Sequence, residues 1–256
     1  TATHTHNGPG GMSKPLVYRS ISGRYMPELV KSTAEKFGQA MAAAYAARRP
    51  ASVGFGTGKQ DDLSVNRRDD KGPTDPQIGV LRVEDKDGKA IALMANFAAH
   101  PTSVPDSDKL AFSADYPGAF YAALEAATDP GCVALFTNGA EGNQTCANPE
   151  RRQGWSRVES VGRLLAERVV KISDDIECGD LKLRAAQAEA TLPPALATFA
   201  PPTTVLQVVE IGDLLLTCFP GEPCVEIGLE LRRRAGTRGY AAQFSVGLAN
   251  DYVGYF

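Results

Sequence analysis

Three histidines serve this 256-residue chain, and they fall in two short motifs. His4 and His6 lie in Ala-Thr-His-Thr-His-Asn-Gly-Pro-Gly-Gly (2–11), and His100 closes Asn-Phe-Ala-Ala-His-Pro (96–101). Imidazole is the commonest ligand of borderline metals such as zinc, and neutral nitrogen donors suit a hydrolytic site. In extended chain His4 and His6 would point to one side, and Asn7 to Gly11 would turn the backbone away and leave that side open. For a lone His-x-His, one exposed and one hydrogen-bonded histidine at a strand end is an equally good reading. His100 shifts the balance, because it ends an apolar strand (Ile91 to Ala98) just before a proline that prevents continuation. Such strand ends are where α/β enzymes place reactive groups. Glu222 has a similar position in Cys-Phe-Pro-Gly-Glu (218–222), between a buried strand and a helix. Alone, it reads as a carboxylate complementing the helix dipole. Two histidines plus a carboxylate, each after an apolar strand, match a catalytic zinc set with an open position.

The elements that must position these groups are legible in outline. Ser32 to Arg48 is Ala-rich, with Ser32 and Glu35 as a capping box, and predicts a helix. Ala51 to Lys59 reads as a strand, and residues 60–76 as a polar, turn-rich loop. Ile78 to Val83 and Ala90 to Ala98 form a hairpin around Asp-Lys-Asp-Gly (85–88). Tyr116 to Ala127 predicts a helix, Cys132 to Thr137 a buried strand, and Ser156 to Ile172 a long amphipathic helix. Strands follow at Leu181 to Leu192, Thr203 to Ile211 and Leu214 to Phe219, the last two paired across Gly212-Asp213, with a Pro/Ala-rich connector at 193–202. Glu222 to Ala235 predicts a helix and Ala241 to Leu248 a strand. Strands alternating with helices give a layered α/β/α fold, the hairpins make its sheet mixed, and the zinc site falls at strand ends.

Composition narrows the function classes. Hydrophobic content of 43% and charged content of 22% are ordinary for a globular protein. Net charge is −3 and the longest basic run is Arg232-Arg233-Arg234, which argues against a nucleic-acid partner. No apolar run is long enough to span a bilayer. Five cysteines (132, 146, 178, 218 and 224) show no C-x-x-C spacing, and an odd number argues against a complete disulfide framework. Cys132 and Cys218 read as buried small hydrophobes, and Cys146 follows a Gly-rich turn. The chain starts at Thr1 and stops in an aromatic segment, so it reads as an internal fragment, 1–256 forming one domain truncated at both ends.

Five stretches resemble the neutral/alkaline non-lysosomal ceramidases and their bacterial relatives, in the family's order. They are residues 2–11; Val-Asn-Arg at 65–67; Asn-Phe-Ala-Ala-His-Pro-Thr at 96–102 with Ser-Ala-Asp-Tyr-Pro-Gly at 113–118; Phe-Pro-Gly-Glu at 219–222; and Gly-Leu-Ala-Asn-Asp-Tyr at 247–252. The resemblance implies a layered α/β catalytic domain with a central zinc ion. It implies His4, His100 and Glu222 as zinc ligands and Tyr252 as a phenolic fourth, where residue type alone makes Tyr252 a core or interface aromatic. His6 would face the substrate's polar head as a general acid/base, and Arg67 would match the active-site arginine; its alternative is a surface arginine paired with Asp61 or Asp69. Metal-activated water would then cleave the N-acyl amide bond of ceramide or a related lipid-like amide. Peripheral contact with membrane lipid and a secreted or periplasmic location are further implications of the family.

The chain departs from the family in places. The family's Gly-Asp-Val-Ser-Pro-Asn string, whose serine has been proposed as a nucleophile, corresponds here to Gly142-Asn-Gln-Thr145-Cys146-Ala-Asn148. Thr145 would need a base beside it, and no histidine remains unassigned, which favours metal-activated water. The 138–148 loop is also a candidate source of donors near the oxyanion. Pro101 stands where glycine is usual. Two alternatives stay open: a Ser/Thr-type hydrolase centred on Thr145 or on Ser113/Asp115, and a non-catalytic metal-binding member of the same scaffold.

Overall fold

The structure is a computed structural model and describes residues 1–193 and 203–256. Two mixed four-stranded sheets form its frame. The first contains β1 (Ser52–Lys59), β3 (Gln77–Glu84), β4 (Ala90–Phe97) and β5 (Val133–Asn138) in that spatial order. Its first two pairings are antiparallel and β4–β5 is parallel. The second runs β10 (Ala242–Val246), β9 (Leu214–Cys218), β8 (Thr203–Ile211), β7 (Leu183–Thr191), with β10–β9 parallel and the rest antiparallel. The expected α/β class and both hairpins are present. The strands are divided among two mixed four-stranded sheets and a two-stranded one.

Helices α3 (Asp115–Ala127) and α4 (Trp155–Ser173) pack on each other and against the first sheet. Phe97, Tyr116, Phe120, Phe136 and Leu165 meet in that layer. The glycines of β1 let α4 approach closely: a Cβ on Gly58 would stand 2.6 Å from Ile172, and one on Gly54 2.5 Å from Ile176. Helix α5 (Val225–Thr237) covers β10, which in turn contacts β4 and β5. The sheets are thereby joined where β4, β5 and β9 end, and the chemistry-bearing loops leave there.

Several local expectations need correction. Helix α2 spans Pro27–Ala46, so Ser32 and Glu35 lie inside it rather than at its start. Proline at the first helical position, with its preset φ and missing N–H, starts the helix five residues earlier. A short helix α1 (Leu16–Ser22) precedes it. The expected 60–76 loop contains β2 (Ser64–Asn66), which pairs with β6 (Gln144–Cys146). Three residues of each strand are too few for a periodicity signal, and the pairing is long-range. Glu222 precedes α5 by three residues, with Cys224 as N-cap, so it is not part of the helix. The connector at 193–202 lies outside the described residues apart from Pro193. All five cysteines are free, with Cys132, Cys146 and Cys218 buried.

Candidate metal centre

The N-terminal histidines do not sit in a strand. Residues 1–5 form no ladder, and His4 takes the left-handed conformation at φ 69°. That local twist, not strand alternation, brings its ring beside His6, with centroids 4.9 Å apart and Nε2 atoms 3.3 Å apart. Distant elements hold the segment: Ala2 N–H donates to Leu248 O (3.2 Å), and Asn138 Nδ2 donates to Thr3 O (2.8 Å). On the other side Asn7 Nδ2 donates to Lys109 O and Ala111 O, both at 3.1 Å.

His100 lies three residues past the end of β4 and is fully buried. Its N–H donates to Gln144 O, and the Tyr116 hydroxyl donates to Ala99 O just before it. The loop that follows is tied down by Asp115, whose Oδ2 accepts from Ser103 N (2.8 Å) and Val104 N (3.1 Å). Burial pushes the Asp115 carboxyl up, opposed by those backbone N–H groups. Ser113 Oγ accepts from Asp115 N, so the Ser113/Asp115 pair serves this turn.

Two of the three imidazoles meet one carboxylate, and the third stands beside them. Glu222 Oε2 lies 3.0 Å from His100 Nε2 and 3.3 Å from His4 Nε2. Tyr252 donates its phenol to the other oxygen, Oε1, at 2.7 Å. Burial pushes the Glu222 carboxyl up, but bonds from His100, His4 and Tyr252 outweigh it and hold it far below the usual carboxylate range. His6 is pushed down to about 4, first by desolvation and then by its neighbours His4 and His100. Ligand nitrogens of His4, His6 and His100 all lie within 4.8 Å of one another.

These donors suit a cation, as the His100 ring shows. Its Nδ1 faces two backbone carbonyls, Glu141 O at 2.8 Å and Gln144 O at 3.0 Å. Only an N–H satisfies two acceptors, so Nδ1 carries a proton, and the ring turns its Nε2 to the Glu222 carboxylate oxygen at 3.0 Å. The ligand nitrogens of His4 and His6 and the Glu222 carboxylate gather beside it, a donor set that suits an electropositive occupant. Donors of a tetrahedral zinc with bonds of about 2.0–2.1 Å stand roughly 3.3 Å apart, close to the 3.0 and 3.3 Å spacings here. A ring fixed by carbonyls on its far nitrogen is the usual way a metal-binding histidine is oriented.

Arg67 follows β2 directly. Its Nη2 donates to Gly142 O (2.9 Å) and to the Tyr255 hydroxyl (3.1 Å), not to Asp61 or Asp69. Thr145 is brought beside His100 by an isolated bridge, but its hydroxyl bonds that of Thr102 at 2.9 Å, and no base stands at hydrogen-bonding distance among the described residues. The 138–148 loop serves the site with carbonyl oxygens, from Glu141, Gly142 and Gln144.

Two residues near the site escaped the sequence reading. Glu141 is fully buried, both its carboxyl oxygens are unpaired among the described residues, and burial pushes it far above the usual range. Nothing in its surroundings along the chain marks it. Tyr255 holds Arg67, and the Tyr-x-x-Tyr spacing with Tyr252 was its one visible trace.

The family model "neutral/alkaline non-lysosomal ceramidase, N-terminal" matches residues 1–148. The chain is 29% identical over 163 residues to neutral ceramidase B of Dictyostelium discoideum, covering 56% of this chain and 23% of that protein. It is 26% identical over 155 residues to the neutral ceramidase of Pseudomonas aeruginosa, with the same two coverages. The fold matches the crystal structure of neutral ceramidase from Pseudomonas aeruginosa at a TM-score of 0.85 and 20% identity, over 100% of this chain and 54% of that one. A ceramidase complexed with C2 matches at 0.85 and 19%, over 100% and 55%. The chain thus spans about half the length of these solved relatives. With more than half of its residues matched by that model, the chain belongs to the neutral/alkaline non-lysosomal ceramidase family.

Proposed function

We propose that the full protein containing this chain is a zinc-dependent amidohydrolase that cleaves the N-acyl amide bond of ceramide or a related N-acyl lipid, and that residues 1–256 form one catalytic domain. The observation that carries this reading is the clustering of His4, His6 and His100, with His4 and His100 on one oxygen of Glu222 and Tyr252 on the other. His4, His100, Glu222 and Tyr252 would hold the metal. A bound zinc supplies Lewis-acid polarisation of the amide carbonyl and a water acidic enough to attack near neutral pH.

The chain's own residues do the rest. His6 is the most exposed of the three imidazoles and makes no hydrogen bond to Glu222 among the described residues, so it is free to exchange a proton with the attacking water and the leaving amine. Among the described residues Arg67 keeps Nη1 and Nε without acceptors, and it can hold a polar group of the substrate. Glu141 O and Gln144 O keep the His100 ring in one orientation.

Metal analysis and chelation of the purified full-length protein test the reading. Bound zinc, ceramide hydrolysis lost on chelation and its return with added zinc are expected. Hydrolysis surviving complete metal removal would sink the metal reading and return attention to Thr145. Bound zinc without turnover of any N-acyl amide would make this a non-catalytic member.

A lipid substrate raises the question of how the enzyme meets it. Helix α2 buries none of its residues, and Phe37, Met41 and Tyr45 form an exposed stripe at spacings of four. Leu16 and Ile21 of α1 are exposed as well. Residues 12–50 carry seven lysines and arginines against two glutamates, in a chain of net charge −3. A basic, apolar-faced helical segment suits an anionic lipid surface, and we assign peripheral membrane contact to it. Among the described residues no helix is long and apolar enough to cross a membrane. The full-length protein is expected to co-sediment with phosphatidylglycerol-containing vesicles, and Phe37→Glu/Met41→Glu to abolish this while sparing hydrolysis of a soluble short-chain amide. Equal sedimentation of the two proteins, or of neither, overturns the assignment.

A further inference from the structure

The segment after Tyr252 is bound to the Glu222 turn. Glu222 N–H donates to Gly254 O (2.9 Å), Phe256 N–H to Glu222 O (3.1 Å) and Cys224 N–H to Phe256 O (3.1 Å). The approach requires a bare Cα at Gly221, where a Cβ would stand 2.2 Å from Gly254 O. Gly254 takes a left-handed φ of 98°, and the two aromatic side chains after it go to different partners. Phe256 turns its ring to Phe219, with centroids 6.0 Å apart, while Tyr255 turns to Arg67. The same turn that carries Glu222 therefore presents two phenols: Tyr252 on the carboxylate and Tyr255 on the guanidinium.

We propose that Tyr255 is the positioning residue for Arg67, setting the direction in which the guanidinium meets the substrate's polar group. Arg67 is exposed, and an arginine on a surface loses rotamer freedom when it is held for binding. Two acceptors on one nitrogen, Gly142 O and the Tyr255 hydroxyl, fix its plane, and Nη1 and Nε have no acceptor among the described residues. Gly142 O belongs to the loop whose Glu141 and Gln144 carbonyls orient His100, so Arg67 and the histidine cluster share a common frame. The Tyr255 ring is held from its other side by Arg68, whose guanidinium carbon lies 5.8 Å from the ring centroid. The phenol is thus supported at its face, and its oxygen accepts from Arg67 while its hydroxyl also interacts with the Glu222 carboxylate.

The inference rests on Arg67 as the group that holds substrate, and a double-mutant cycle in the full-length enzyme separates the two claims. Tyr255→Phe removes the hydroxyl and keeps the ring over Arg68. It is expected to raise KM about tenfold, the scale of one hydrogen bond to a charged group, with kcat changed less than twofold and thermal stability preserved. In an Arg67→Ala background the same change is expected to add less than twofold. A substrate lacking the polar head group should show neither effect. If Arg67→Ala raises KM while Tyr255→Phe does not, or if their effects multiply, the role of Tyr255 is overturned and that of Arg67 stands. If Arg67→Ala leaves KM unchanged, both fall.

Discussion

Glu222→Gln in the full-length protein is expected to strip the bound metal and lower turnover by about a thousandfold or more, the scale of losing a metal-activated nucleophile. The substitution keeps the side chain's size in a site where Glu222 is 1% exposed, so packing is conserved. What it removes is the negative charge to which two imidazole nitrogens turn at 3.0 and 3.3 Å. Losing an outer hydrogen-bond partner of a metal ligand costs about 10–100-fold in affinity, and losing a ligand's charge should cost more. Elemental analysis reads the metal directly and is independent of activity. Full zinc occupancy in the variant would remove Glu222 from the ligand set.

His6→Ala divides two donor sets that the geometry brings together. One is His4, His100, Glu222 and Tyr252; the other is the three histidines, whose ligand nitrogens lie within 4.8 Å of one another. In our reading His6 moves protons rather than holding metal, so the variant keeps its zinc and loses about 10²–10⁴-fold in kcat, the usual range for a general acid/base. Loss of zinc together with activity would assign His6 to the metal instead. The exposure of His6 and the buried setting of His100 and Glu222 favour the first outcome: ligands that gather in low dielectric gain most from a shared cation. Retained activity would leave proton transfer to another group.

The helix and strand content was legible wherever the chain repeats a pattern for long enough. The hairpin of β3 and β4 announced itself through two apolar runs around a Gly turn, and α4 through its amphipathic period. What failed was local and short. The capping box at Ser32 lost to Pro27, because a proline preset for the first turn is the stronger start signal. Strands β2 and β6 have three residues each and make sense only as partners. His4 was expected in extended chain, and its φ of 69° comes from anchors at Leu248 and Asn138, far along the sequence.

The sequence by itself determined which atoms are available: three imidazoles in two motifs, a carboxylate after Phe-Pro-Gly and a tyrosine near the end. Those are properties of residue type and spacing, and the family resemblance is written in them. Only the tertiary structure decided how they are used. It put the His100 Nδ1 proton on two carbonyls, Tyr252 on the far oxygen of Glu222, and Tyr255 on Arg67. Each of these contacts joins elements separated by tens to hundreds of residues, and hydrogen-bond direction depends on where a backbone carbonyl lies in space. No local pattern encodes that position; the packing of two sheets around one set of strand ends does.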